Sequence, residues 1–114
     1  STLDRSSAAS DVYKRQYNIS VDNSTYTSSN FATPSSNSNK INVSFTNDGT
    51  SSTIVKLYKV GSSKDTLIGS FTVKAGSSDY EGFRGSADST YYVKITNSSG
   101  DCIKGSLKVR QLDQ

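Results

Sequence analysis

The segment Ser89 to Gln111, STYYVKITNSSGDCIKGSLKVRQ, decides the fold class. Apolar and polar residues alternate from Tyr91 to Ile95 and again from Ile103 to Val109. This period of two is typical of β-strands with one apolar face. The polar run NSSGD at 97–101 predicts a turn, so we interpret the segment as a β-hairpin. Because a lone hairpin is only marginally stable in water, its apolar face requires a second layer of strands.

The preceding part of the chain contains five further segments with strand character. They are Tyr17 to Val21, Lys40 to Asn47, Thr53 to Val60, Thr66 to Lys74 and Asp79 to Arg84. Seven short strands separated by closely spaced turn signals predict an all-β fold, a single antiparallel β-sandwich of about seven strands with an Ig-like architecture. One cysteine and no tryptophan exclude the Cys-Trp-Cys framework of the antibody-type variant.

Two polar stretches predict how the chain turns between strands. Asn47-Asp48-Gly49 favours left-handed backbone conformations, which predicts a tight reversal. Residues 22–39 are mostly Ser, Thr and Asn, with Tyr26 and Phe31 as aromatic anchors and Pro34 as the only proline. We expect this segment to form a loop that wraps around the sandwich.

Alternation in the segment TLIGSFTVK predicts which side chains of that strand point inward. Leu67, Phe71 and Val73 fall on one face. Gly69 lies between them, which indicates that a neighbouring side chain needs the room.

Residues 1–16 have no strand or helix periodicity, so we predict a disordered tail there and a sandwich domain over 17–114. The run SSAASDVYKRQ, Ser6 to Gln16, resembles a peptide that arises when adapter sequence in metagenomic assemblies is translated as protein. The resemblance implies that the tail is not native and that the original N-terminus, with any signal peptide, has been lost. No stretch approaches the roughly 18 apolar residues of a membrane span.

Composition argues against an enzyme and against a nucleic-acid binder. The 114 residues fit one domain, which we expect to be a monomer. Without histidine, the chain cannot activate a nucleophile in the Ser-His or Cys-His manner, and a single cysteine leaves no plausible zinc site. We expect Cys102 to be a small hydrophobe near the start of a strand. The net charge of +3 is spread along the chain rather than concentrated on one stripe. The sequence therefore predicts no catalytic residues, no metal and no cofactor.

Outward tyrosines and lysines form the best candidate for a binding face. In the predicted register these are Tyr58, Tyr92, Lys56, Lys94, Lys104 and Lys108. Tyrosine offers a flat apolar body with a polar tip to a sugar or a protein, and lysine attracts an anionic wall polymer. The alternative is that the lysines guard exposed strands against edge pairing and that Tyr-Lys packing only stabilises the sheet.

Two weaker motifs have structural explanations. Four acidic residues in or near turns allow a calcium site at one end of the sandwich, namely Asp79, Glu81, Asp88 and Asp101, but they lack ligand spacing and also suit solvated turns. Asn-x-Ser/Thr triplets begin at Asn18, Asn23, Asn42 and Asn97. We attribute these triplets to the richness of the chain in Asn, Ser and Thr.

Three motifs resemble small Ig-like modules of secreted Gram-positive bacterial proteins. They are KLYKVG from Lys56 to Gly61, GSFTVKAGSS from Gly69 to Ser78 and STYYVKI from Ser89 to Ile95. The nearest named family is the pre-peptidase C-terminal domain, in which strands of the type LYL and YYVRV follow each other in this order. The resemblance implies a β-sandwich and secretion. The aspartates that usually precede the leucine-rich strand of that family are absent here, so no calcium site is implied.

These observations together predict a non-catalytic, secreted or cell-surface module used for attachment or structural spacing. The alternative is a carbohydrate-binding module that uses the tyrosine and lysine face. Aromatic geometry discriminates between the two, because sugar platforms usually use Trp or two or three coplanar rings, and this chain has no Trp. The expected partner is a cell-wall polysaccharide or a protein.

Overall fold

A computed structural model of the protein describes residues 11–33, 40–86, 88–97 and 99–112. Within these ranges the regular elements are nine β-strands. They are β1 (Asp11–Val21), β2 (Thr25–Thr27), β3 (Phe31–Ala32), β4 (Lys40–Asn47), β5 (Thr53–Lys59), β6 (Thr66–Val73), β7 (Ser78–Arg84), β8 (Thr90–Thr96) and β9 (Ile103–Leu112). The all-β prediction is confirmed, and β2 and β3 are additions to the seven predicted strands. No helix in the described ranges has the length and apolar character that a membrane crossing requires.

The strands form two antiparallel sheets that pack face to face. Sheet A has the order β1-β9-β4-β7, and sheet B has the order β2-β8-β5-β6, with β3 also paired to β8. Both sheets contribute to one core, because alternate residues of β4, β5, β8 and β9 are buried. The buried apolar side chains are Ile19, Phe31, Ile41, Val43, Phe45, Val55, Leu57, Val73, Tyr91, Val93, Ile95, Ile103, Leu107 and Val109. The predicted sandwich is therefore confirmed, as is the inward face of β4, β8 and β9.

The predicted hairpin between β8 and β9 is wrong. β8 lies in sheet B beside β5, whereas β9 lies in sheet A between β1 and β4. Alternation identifies the buried face of a strand but not its partner, so two strands that face one core from opposite sheets show the same pattern as a hairpin. The connection from 97 to 102 crosses between the sheets.

The reversal predicted at Asn47-Asp48-Gly49 is also a crossing between sheets, because β4 belongs to sheet A and β5 to sheet B. The backbone N–H of Gly49 donates to Oδ1 of Asn47 at 2.9 Å. None of the three residues has a positive φ. The turn is thus made by the asparagine side chain rather than by left-handed backbone.

The first strand starts six residues earlier than predicted, at Asp11 instead of Tyr17. The backbone of Tyr13 to Gln16 pairs with Gln111 to Lys108 of β9. Backbone pairing needs no apolar periodicity, which is why the pattern did not indicate this part of the strand. The rest of the predicted tail, residues 1–10, lies outside the described residues.

A β-bulge in β6 changes which of its side chains point inward. Leu57 pairs with Gly69 and Tyr58 with Leu67, so Ile68 is the extra residue. Leu67 is consequently 50% exposed, and its predicted inward position is wrong. Ile68 packs against the core instead.

The prediction that a neighbouring side chain needs the room at Gly69 is confirmed. A Cβ atom at Gly69 would lie 2.5 Å from Cε1 of Phe83, so the phenyl ring occupies the room that glycine leaves.

The two aromatic anchors predicted in 22–39 are also confirmed. In the described part of this segment, Phe31 is fully buried and stacks on Tyr91, with ring centroids 6.1 Å apart. Tyr26 is half-buried against the core. Both aromatic residues anchor the segment through short strands paired to β8.

Candidate functional site

The outer face of sheet B brings together four of the predicted binding residues. In the register of β5 and β8, Tyr58 is opposite Tyr92, and Lys56 is opposite Lys94. Paired residues in adjacent strands point to the same face. Since Leu57 on β5 is buried between the two pairs, both pairs lie on the outer face. We call the first pair the tyrosine row and the second the lysine row.

The two rings of the tyrosine row stack on each other. Their centroids are 5.3 Å apart, and their planes differ by 16°. Rings that lay side by side in one plane would not bring their centroids this close, so the rings overlap. The row is therefore a ridge rather than a flat platform of two coplanar rings. Leu67 of β6 pairs with Tyr58 and extends the row with a further exposed apolar side chain.

Asp65 lies at one end of this ridge, and it was not predicted from the sequence. The hydroxyl of Tyr92 donates to Oδ2 of Asp65 at 2.6 Å. The backbone N–H of Gly61 donates to Oδ1 of the same carboxylate at 3.1 Å. Asp65 closes the loop between β5 and β6, so the signal available in the sequence was an acidic turn residue beside the strand that carries Tyr58.

The hydrogen bond shifts the ionisation of both partners. Donation to the Asp65 carboxylate raises the pKa of Tyr92 to about 12. The same hydrogen bond, followed by the one from Gly61, lowers the pKa of Asp65. Asp65 is thus a fixed negative charge on one side of the tyrosine row, and the lysine row lies on the other side.

The lysine row contains two like charges in direct opposition. Both side chains are half-buried, and neither forms an ion pair with any residue in the described part of the chain. The row continues through neutral residues, because Thr27 pairs with Lys94 and Ser70 pairs with Lys56. Like charges directly opposite each other in a sheet are destabilising. The row therefore has a charge excess that the fold itself does not balance.

Protection of a sheet edge against pairing does not explain the presence of Lys56 and Lys94. β5 is bonded to β6 on one side and to β8 on the other. β8 is covered at Lys94 by Thr27 of β2. Lysines that guard edges lie on strands with an open side, and these two strands have none at this position.

Lys104 and Lys108 do not join the face. Both are exposed on β9, which belongs to sheet A. The outer faces of the two sheets point in opposite directions because the core lies between them. The expectation that Lys104 belongs to one surface with Tyr58 and Tyr92 is therefore wrong. Alternation shows that a side chain points outward but not from which sheet.

The acidic residues do not assemble into a site. Among the described residues, no three His, Cys, Asp or Glu side chains come together as metal ligands would. Asp101 instead accepts hydrogen bonds from the hydroxyls of Ser51 and Ser99, which lower its pKa. The bond from Ser51 joins the two connections that cross between the sheets, whereas the bond from Ser99 lies within one of them.

Asn97 and Cys102, which were also considered in the sequence, lie at the two ends of the connection between β8 and β9. The side chain of Asn97 is only 5% exposed, and this burial argues against a glycan there. Its Oδ1 accepts hydrogen bonds from the N–H and hydroxyl groups of Ser99. Cys102 is exposed, which corrects the expectation that it packs as a small hydrophobe.

Comparison with known proteins shows the fold. No protein-family model matches the sequence, and no curated protein matches it significantly. The chain is similar to the crystal structure of PirA, with a TM-score of 0.59 and 11% identity over 87% of this chain and 93% of that one. It is similar to PliG of Aeromonas hydrophila, a periplasmic inhibitor of g-type lysozyme, with a TM-score of 0.53 and 13% identity over 90% and 87% of the two chains. A non-crystalline cellulose specific carbohydrate-binding module, CBM28, matches with a TM-score of 0.52 and 7% identity over 86% of this chain and 70% of that one. At such identities the likeness is one of small all-β sandwich domains.

Proposed function

We propose that the protein is a non-catalytic, secreted or cell-surface module that attaches to polysaccharide through the outer face of sheet B. One observation carries the proposal: the stacked Tyr58 and Tyr92 lie beside the opposed Lys56 and Lys94 in consecutive rows of two interior strands. The stability of the fold does not explain this arrangement, because the repulsion between the two opposed lysines destabilises the sheet. Surface residues that oppose stability are candidates for binding.

The chemistry of the two rows suits a sugar chain. The tyrosine ridge and Leu67 provide an apolar strip for the carbon-hydrogen faces of sugar rings. The phenol groups and the lysines supply polar contacts along its length. Secretion is inferred from the resemblance of three motifs to the pre-peptidase C-terminal domain, although no protein-family model matches the sequence. The folds of CBM28 and PliG are compatible with a binding role, since those proteins bind cellulose and inhibit a lysozyme, respectively.

A pull-down on insoluble polysaccharides and cell-wall preparations tests the proposal. We expect the native chain to be retained and Tyr58→Ser/Tyr92→Ser to be lost from the bound fraction, because the variant removes the ridge. The matched control is Tyr80→Ser, since Tyr80 is 70% exposed on β7 of sheet A. Circular dichroism and thermal unfolding show whether each variant is folded. Loss of the stack is expected to cost about 0.5 to 1.5 kcal/mol.

The pattern of retention decides between this function and the alternatives. If Tyr58→Ser/Tyr92→Ser is retained as well as the control Tyr80→Ser, the binding surface is not the tyrosine row. No retention of the native chain on any polysaccharide would contradict the proposal and favour a structural spacer or a module that binds a protein.

A further inference from the structure

The lysine row on the outer face of sheet B indicates the charge of the ligand. We propose that the ligand is an anionic polysaccharide whose carboxylate or phosphate groups bind between Lys56 and Lys94. This inference rests on the proposed function and narrows it to one class of polymer. It uses the direct opposition of the two lysines in neighbouring strands.

The position of the two ammonium groups favours an anion over a neutral sugar. Both lysines are half-buried, so part of each side chain packs against its neighbours while the two charges remain on the same face of the sheet. An anion placed between them forms charge-assisted hydrogen bonds with both and removes their mutual repulsion. A neutral hydroxyl leaves the repulsion in place.

The neighbours of the two lysines are also suited to an anion. Thr27 and Ser70, at the two ends of the lysine row, are exposed hydroxyl residues that can donate hydrogen bonds. The next row away from the tyrosines is also uncharged, with Ile54 opposite Thr96. The carboxylate of Asp65 is bonded to Tyr92, on the far side of the tyrosine row. An anionic group is therefore attracted to the side of the ridge on which the lysine row lies.

Polysaccharide is favoured over nucleic acid by the charge of the chain. The net charge of only +3 lacks the basic excess that is usual for nucleic-acid binding, and the basic residues are spread along the chain.

Affinity electrophoresis with chemically matched polymers tests the inference. The probes are polygalacturonate, its methyl-esterified form, dextran phosphate and a single-stranded thymidine oligonucleotide. We expect polygalacturonate or dextran phosphate to bind about tenfold or more tightly than the ester, with affinity that falls as salt is added. A preference for one of these two polymers identifies carboxylate or phosphate as the anionic group.

A pair of double variants assigns the effect to the lysine row. Lys56→Gln/Lys94→Gln is expected to weaken binding of the preferred anionic polymer by about tenfold or more and to flatten its salt dependence. Lys104→Gln/Lys108→Gln removes the same charge from the outer face of sheet A and should change the affinity by less than about twofold. The melting temperature of the first variant should be no lower than that of the native chain, because it loses a repulsion.

Each other result overturns the inference. Equal affinity for the ester and for polygalacturonate would leave a polysaccharide-binding face but exclude an anionic ligand. An equal loss of affinity in both double variants would show that binding depends on the net charge of the chain and not on the lysine row. Tighter binding of the oligonucleotide would make the ligand a nucleic acid. No binding to any probe would overturn this inference, whereas the pull-down on insoluble polysaccharides decides the proposed function separately.

Discussion

The hydrogen bond from Tyr92 to Asp65 makes the stability of the outer face depend on pH at both extremes. The folded pKa of Tyr92 is about 12, above its ordinary value of 10.0. The stabilisation from neutral Tyr92 is therefore fully present below pH 10.0 and is lost as the pH rises toward about 12. For Asp65, whose pKa is lowered, the contribution is present above its ordinary pKa and is lost as the pH falls through the folded value. Both groups are solvent-exposed, so water screens the effect and its size is small.

Replacement of Asp65 tests this coupling directly. We expect Asp65→Asn to lower the pKa of Tyr92 from about 12 toward 10.0, because the charged acceptor is removed. The measurement is the ultraviolet absorbance of tyrosinate as a function of pH, with Tyr92→Phe subtracted to isolate this residue. Asp101→Asn, at the crossing connections, is the control and should leave the Tyr92 titration unchanged. An unchanged pKa in Asp65→Asn would show that the bond does not form in solution.

The four residues of the two rows could be predicted to point outward, but the strands that pair and the residues opposite each other could not be predicted. Alternation assigned Tyr58 and Lys56 to the outside of β5, and the equivalent residues to the outside of β8, because parity is a local property of a strand. It also grouped Lys104 with them, although β9 lies in the other sheet. Asp65 was missed because its role depends on a contact with Tyr92, 27 residues away.

The first strand shows how an element extends beyond its apolar pattern. Only Tyr17, Ile19 and Val21 follow the alternation, yet β1 begins at Asp11 and pairs with most of β9. On its other side, β9 is paired with β4. The N-terminal half of β1 is thus held by backbone hydrogen bonds along one side of β9, and this part of the chain overlaps the run that resembles translated adapter sequence.

Truncation measures the contribution of that half-strand. We expect a chain that begins at Tyr17 to melt several degrees below one that begins at Asp11, because the pairs from Tyr13 to Gln16 are lost. In a domain of this size roughly 4 to 8 °C corresponds to about 1 kcal/mol. Thermal unfolding by circular dichroism provides the comparison. Equal melting temperatures would mean that these pairs add nothing, and would favour a domain boundary at residue 16.

The side-chain amide of Asn47 links the two sheets by donating hydrogen bonds to backbone carbonyl groups. Asn47 is fully buried at the end of β4. Its Nδ2 donates to the carbonyl of Ser51 at 2.8 Å and to the carbonyl of Val73 at 3.1 Å. Since Val73 ends β6, this one side chain links sheet A to sheet B. Asn97, which follows β8, is also buried, but its backbone N–H donates to the carbonyl of Ser24, just before β2 of the same sheet.

Removal of the Asn47 amide is expected to destabilise the whole sandwich. Asn47→Ala leaves buried carbonyl groups without their donor, at a cost of about 1 to 3 kcal/mol for each unsatisfied group. The melting temperature should fall accordingly, measured beside Asp48→Ala, which changes the exposed neighbouring side chain. A loss no greater than that of Asp48→Ala would show that water replaces the asparagine and that the link between the sheets lies elsewhere.

Gly105 interrupts the alternation of apolar residues along β9, and the sequence pattern does not explain why. It falls between Ile103 and Leu107 on the inward face of β9, where an apolar side chain is expected. A Cβ atom there would overlap the carbonyl oxygen of Thr46 and lie 2.9 Å from the ring of Phe45. The gap in the alternation is therefore filled by a side chain from β4, which no local pattern indicates.

The amino-acid sequence by itself determined that the protein is all-β, that its strands share one core, and which side chains of most strands face that core. These properties follow from the two-residue period of a strand and from burial of apolar surface, and both are local. Only the tertiary structure decided which strands pair, which sheet each strand joins, and hence that Tyr58, Tyr92, Lys56 and Lys94 form one surface without Lys104. The physical reason is that hydrophobic attraction is non-directional, so an apolar face does not specify its partner, whereas strand pairing depends on backbone contacts between residues far apart in the chain.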